Sequence, residues 1–163
     1  MNFSIRPMQP GEWKFFRDMR LKALQMHPGF YAGTYEAALK KPPEEWQDLL
    51  ASEDKGVFGL FADEYLIGIT GIFPSQKDPN DAVFVMSFIE PDYRGLGLSK
   101  RLYEARIEWA RAHGFKKCIA SHRGDNIPSR QAMVAYGFQL THEEQTTWPD
   151  GRTETEYHAE LVL

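Results

Sequence analysis

The chain has 163 residues, a mass of 18.8 kDa, a formal charge of −4 and a pI near 5.7, with 42% hydrophobic residues. That is one domain's length, with enough apolar surface for a core and too little for two. The acidic balance argues against a protein that tracks nucleic-acid phosphates and favours a cationic partner. No apolar stretch reaches the length of a bilayer span, and residues 1–6 lack the charged start and apolar block of a secretory signal, so the expectation is a cytoplasmic protein with no membrane partner.

In chain order, residues 3–6 read as a short strand. Pro10-Gly11 precedes a helix that carries Trp13, Phe16, Met19, Leu21 and Leu24 to about Met26, where His27-Pro28-Gly29 stops it. Residues 30–41 fit neither helical nor strand patterning. Pro42-Pro43-Glu44-Glu45-Trp46 opens a second helix to about Ala51, with proline and acids in its first turn. Residues 57–62 and 65–73 read as a hairpin turning at Asp63-Glu64. After the polar residues 75–81, the run 83–89 is β-branched and aromatic, and its apolar residues fall on both faces, as in a central strand buried on both sides.

Pro91 ends that strand. From Arg94 onward a stripe of Leu98, Leu102, Ala105, Ile107, Trp109 and Ala112 predicts a helix stopped by His113-Gly114, and residues 115–121 form the next strand. Strand, glycine loop, helix and strand make a right-handed parallel crossover, which puts the loop at the carboxyl end of a strand. A further helix runs to Gly137-Phe138. Residues 141–148 and 153–163 then close the chain as a hairpin around Pro149-Asp150-Gly151, and its exposed edge is a route to a homodimer. The single Cys118 falls inside an apolar strand as core packing, and one cysteine makes no internal disulfide.

The stretch Tyr93-Arg94-Gly95-Leu96-Gly97-Leu98-Ser99-Lys100-Arg101 lies where the central strand gives way to the helix. A helix start concentrates unpaired N–H groups and about half a positive charge, and glycines let the main chain approach a phosphate. Three phosphate-loop grammars compete here. The nucleotide triphosphate loop needs Gly-Lys-Ser/Thr after Gly and four residues, which the chain lacks. The dinucleotide fingerprint needs a third glycine where Lys100 stands.

What remains is Arg94-x-x-Gly97-x-Ser99 with Ile89-x-Pro91 upstream, which resembles the acetyl-coenzyme A loop of the GNAT superfamily of N-acetyltransferases, Gln/Arg-x-x-Gly-x-Gly/Ala. Ser99 departs from its last position, and an ordinary glycine turn before a helix also fits these six residues. A second match follows in register: Asn126, Ser129 three on, and Gly137-Phe138 closing the helix, with Met133 where the family has Tyr. Asn126 reads equally as a helix N-cap and Gly137 as the residue past a helix end. The order of the two motifs, with a strand between them, carries the resemblance. It implies an α+β fold over 1–163 as a single domain: a mixed, mostly antiparallel sheet of about seven strands flanked by four helices, with a parallel βαβ crossover at 82–122.

The chemistry the resemblance implies is direct acetyl transfer from acetyl-coenzyme A to a primary amine. An alkyl ammonium of pKa about 10.4 costs about 4.6 kcal/mol to deprotonate at pH 7, against about 2 kcal/mol for a thiol of pKa about 8.5, so the base matters more than the acid. Glu90, which ends the central strand near the family's thioester position, is the first candidate base, and a solvated carboxylate beside Arg94 is its plain alternative. His122, ending the neighbouring strand, is the second, and a hydrogen-bonded strand-end histidine is its alternative. Tyr136, one turn past Met133, stands in for the family's acid.

For the cofactor, the N–H groups of Arg94, Gly95, Leu96, Gly97, Leu98 and Ser99 are expected on the pyrophosphate. The main chain of Phe88 and Ile89 is expected on the pantetheine arm as an added strand, with Asn126 and Ser129 facing it. The acceptor expected is a small-molecule amine. The alternatives are a protein N-terminus or lysine, or a non-catalytic acyl-coenzyme A sensor. His27, His113, His142 and His158 show no ligand spacing and there is no second cysteine, so no metal is expected.

Overall fold

A computed structural model describes residues 1–124 and 126–163. The elements are β1 (Phe3–Pro7), α1 (Trp13–Met26), α2 (Tyr35–Leu39), α3 (Pro43–Ala51), β2 (Gly56–Ala62), β3 (Tyr65–Pro74), β4 (Asp81–Ile89), α4 (Ser99–Ala112), β5 (Lys117–Arg123), α5 (Ile127–Ala135), β6 (Gln139–Thr147) and β7 (Thr153–Val162). The strands form one sheet in the order β1-β2-β3-β4-β5-β7-β6, antiparallel everywhere except between β4 and β5. This is the expected α+β fold, with five α-helices instead of four. The extra one, α2, lies in the segment without a pattern and is held by Thr34, whose hydroxyl accepts from Ala37 N–H at 3.2 Å.

Helices α1 to α3 cover one face of β2 to β4. Phe16, Ala23, Leu24 and Trp46 pack there on Val57, Phe61, Ile69 and Phe88. Helix α4 covers the opposite face, where Leu98 and Leu102 meet Leu60, Ala62 and Ile67. On that same side α5 lies over β5, and Met133 and Phe138 pack with Cys118, Ala120, Ala159 and Tyr103. Each fully buried Phe, Leu or Ile stabilises by about 1.5–3 kcal/mol, so Phe16, Leu60, Ile69 and Ile72 anchor both layers.

Strand β4 does not meet the expectation of burial on both faces. Only Asp81, Ala82 and Phe88 are buried, residues 83–86 and Ile89 are half-buried, and Ser87 is exposed. Two features explain this. Pairing with β5 stops after Asp81↔Lys117, Ala82↔Cys118 and Val83↔Ile119. Farther along, Met86 has φ +59° and the register with β3 jumps between Ile69 and Gly71, so Met86 and Ser87 together oppose Thr70. Such a bulge bends its strand, and β4 leaves β5 as one arm of a fork.

Candidate active site

The glycine loop lies at the mouth of this fork. A turn at Pro91–Tyr93 follows β4, closed by Tyr93 N–H to Glu90 O and Arg94 N–H to Pro91 O, and α4 begins at Ser99. Gly95 and Gly97 have φ of +78° and +74°, which only glycine adopts freely, and a Cβ on either would meet nothing within 4 Å. The loop is therefore open on its outer side. Of the amides expected on a phosphate, that of Arg94 already donates to Pro91 O; no N–H from residue 95 to residue 100 donates within the described chain, and the first bonded amide after them is Arg101, to Leu98 O.

Side chains lock the end of β4. Arg94 folds back so that its Nε donates to Ile89 O at 2.8 Å, its Nη2 meets His27 Nε2 at 3.1 Å, and its guanidinium lies over the Phe88 ring. Burial, and then the Arg94 charge, push the His27 pKa down, which keeps its ring neutral and able to accept from Arg94. Glu90 N–H donates to Ile67 O across to β3. By strand alternation Phe88 also turns its main chain toward β3, opposite Ile69, and Ile89 turns its own into the fork. Of the two residues expected to offer main-chain groups to an extended ligand arm, Ile89 faces the fork and Phe88 does not, and Arg94 already occupies the Ile89 carbonyl.

At the bulge, Tyr31 donates its hydroxyl to Ser87 O at 2.8 Å from the segment after α1. Burial raises the Tyr31 pKa to about 12 against the opposing pull of Arg20 and Arg94, so it remains a donor. Arg20 stacks on the Tyr31 ring, buried, with its Nη1 unbonded. On the other face Ser87 Oγ meets Thr70 Oγ1 at 2.7 Å and accepts from Arg106 Nη1 at 3.0 Å. Arg106 is fully buried 3.8 Å above the Phe84 ring, and burial lowers its pKa to about 10.

The acid–base candidates separate in space. The Glu90 carboxylate receives Lys22 Nζ of α1 on both oxygens, at 2.6 and 2.8 Å. His122 is buried on the α5 side of the sheet. Its ring stacks on Tyr157, its Nδ1 lies 2.8 Å from Arg123 O, and its Nε2 has no partner among the described residues. Tyr136 caps the end of α5, stacks on Tyr103 at 4.7 Å and donates to Lys100 O in the first turn of α4. Burial foremost raises its pKa, which keeps the phenol protonated. Met133 is core, Asn126 accepts from Ser129 N–H as the cap of α5, and Trp46 is core.

Sequence reasoning missed the strap on the acceptor side. Arg123 of β5 donates to Gly29 O at 3.2 Å and Asp150 Oδ2 at 2.8 Å, and it pairs with Glu154. It thereby ties the segment after α1, the closing turn and β7 together. Its hydrogen bonds, and behind them its charge, hold both carboxyls below their usual range. Beyond it, the face of β5, β7 and β6 away from α5 presents Ser121, Glu154, Glu156, His158, Glu160, His142 and Glu144, a predominantly acidic floor beside the fork. The alternation of polar residues at 154, 156, 158 and 160 was the available signal. No metal was expected, yet the hairpin register brings His142, Glu144 and His158 together.

A mixed sheet that forks beside an amide-rich helix start defines an α+β domain. The model of the acetyltransferase (GNAT) family matches residues 19–138, so this chain belongs to that family, as the two loop motifs implied. Solved structures agree on the fold. The putative acetyltransferase yncA from Salmonella typhimurium, solved with its cofactor acetyl-CoA, superposes with TM-score 0.84 at 15% identity, over 100% of this chain and 95% of its own. A ribosomal-protein-alanine N-acetyltransferase from Brucella melitensis gives 0.82 at 16% identity, over 98% and 99%. The paiA N-acetyltransferase from Thermoplasma acidophilum, in complex with coenzyme A, gives 0.74 at 18% identity, over 100% of both chains. No helix among the described residues is long and apolar enough to cross a membrane.

Proposed function

We propose that this chain moves an acetyl group from acetyl-coenzyme A directly to the primary amine of a small molecule. One observation carries the reading: the amides of residues 95–100 have no acceptor within the described chain, and they follow the end of β4 beyond where its pairing with β5 stops. A diphosphate supplies the acceptors such a run lacks, and the positive end of α4 adds to the attraction. The Ile89 N–H, turned into the fork, is available to the arm that follows. The two structural neighbours solved with acetyl-CoA and coenzyme A support the choice of ligand.

The Glu156 carboxylate on the floor, held by the neutral hydroxyls of Ser121 and Thr146, favours a cationic acceptor. The strap through Tyr31, Arg94 and Arg123 narrows the approach, which favours a small amine over a polypeptide end. Glu90 is the base: it is the candidate carboxylate at the fork, Lys22 fixes its orientation, and removing a proton from the amine is the larger of the two proton costs. Tyr136, kept protonated, stands beside the first turn of α4 as the donor to the departing thiolate.

Coenzyme A release, measured with a panel of small amines and of peptides with free N-termini, tests the reading. Turnover confined to small amines is the expected result. Turnover only with peptides would move the acceptor to proteins. Tight acetyl-coenzyme A binding without turnover across the panel would make the chain a sensor, and absence of binding would remove the coenzyme altogether.

A further inference from the structure

Strands β6 and β7 pair with His142 opposite His158 and Glu144 opposite Glu156. Because side chains alternate along a strand, His142 and Glu144 share the face that His158 occupies across the ladder. The imidazoles of His142 and His158 stack with centroids 4.3 Å apart and planes 5° from parallel, and both present Nε2 to the same Glu144 oxygen, at 3.1 and 3.3 Å. The Glu156 carboxylate stands 3.5 Å from His158 Nε2 and is already engaged by Ser121 and Thr146.

The hydrogen bonds around this group leave a place for a cation. Thr141 donates its hydroxyl to His158 O at 3.3 Å, and its oxygen lies 3.0 Å from His142 Nδ1. His142 Nε2 is in hydrogen-bond range of Glu144 Oε1 at 3.1 Å, and a divalent ion bound there would take the place of the shared proton. His158 Nε2 is buried and close to two carboxylates, yet it hydrogen-bonds to neither. An ion held by both nitrogens and the Glu144 carboxylate would give the buried His158 Nε2 a partner. The three ligand atoms lie within 4.8 Å of one another, near enough to close on one tetrahedral ion with bonds of about 2.0–2.2 Å.

We propose that His142, Glu144 and His158 bind a divalent transition-metal ion of the zinc class on the outer face of the closing hairpin. Imidazole and carboxylate suit such an ion, and Thr141 supplies the outer contact that fixes a ligating histidine. The site lies apart from the glycine loop and fastens the edge strand β6 to β7.

The test is titration of the chelator-stripped chain with zinc chloride by calorimetry near neutral pH. The expected result is one equivalent bound at micromolar affinity, weakened at least about tenfold in His142→Ala and in His158→Ala. Glu143→Gln, on the opposite face of β6, is expected to bind zinc as the unsubstituted chain does. The melting temperature should rise with zinc and return with EDTA. If His158→Ala fails to fold, the exposed His142→Ala decides. No uptake at micromolar zinc, which is what a bare proton between Nε2 and the carboxylate would give, overturns the proposal. So does uptake that neither histidine variant weakens.

Discussion

Gly97 carries the most local consequence in the site. With φ +74° and open space where a Cβ would go, its amide belongs to a cradle whose only wall is main chain. Gly97→Asp adds both a strained side chain and a negative charge facing the proposed diphosphate, and acetyl-coenzyme A binding by calorimetry should fall below detection while the melting temperature drops by only a few degrees. Glu90→Gln removes the proposed base and leaves the shape, so kcat should fall about 10²–10⁴-fold while coenzyme affinity holds. Both positions were legible from the loop motif and the strand end. Arg94 was legible as part of the motif, but its grip on Ile89 O and His27 was not, because it depends on a segment 67 residues away. Arg106 escaped altogether. Within the stripe Leu102, Ala105, Trp109 a charged residue reads as solvent-facing, and only the Phe84 ring and the Ser87 hydroxyl beneath it make burial tolerable.

Helix ends were the most legible elements, because they have chemical signatures. Helix α5 ends in a Schellman motif, with Phe138 N–H on Met133 O, Gly137 N–H on Val134 O, and Gly137 at φ +87°. Gly137→Ala forces an L side chain into the left-handed region, at a cost of about 1–2 kcal/mol. For a chain of this size each kcal/mol lowers the melting temperature by about 2–4 °C, which a thermal melt followed by circular dichroism will read. The β4 bulge had no such signature. Met86 at φ +59° is a residue type that gives no warning, and the exposure of residues 83–87 follows from where β5 stops pairing, a tertiary outcome. The α2 turn was illegible for a related reason: five residues are too few for a periodic pattern, and Thr34 alone announces it.

Across the fold, the Arg123 cluster couples stability to acid. Asp150 and Glu154 have folded pKa values depressed below their ordinary 3.8 and 4.5, chiefly by hydrogen bonds from Arg123. A depressed carboxyl contributes stability that is fully present above its unfolded pKa and is lost as pH falls through the folded one. Melting temperature should therefore be level above about pH 5 and fall steadily below the ordinary carboxyl range, and Arg123→Gln should be less stable at neutral pH with a shallower acid decline. The number of strands and the parallel crossover were readable from strand patterning and the family motifs together; the place of β7 between β5 and β6, and the strap, were not, because their partners lie far apart in sequence.

Only three rungs join β4 to β5, and the sheet behaves as two leaves on a short spine. The leaf of β1 to β4 is sandwiched by helices on both sides, and the leaf of β5, β7 and β6 is backed on one. Amide hydrogens of the second leaf should exchange with solvent faster than those of β2 and β3. Adding coenzyme A should slow exchange at Ile89 and along β5, because a ligand arm lying in the gap supplies the stitches that the two strands do not make for themselves.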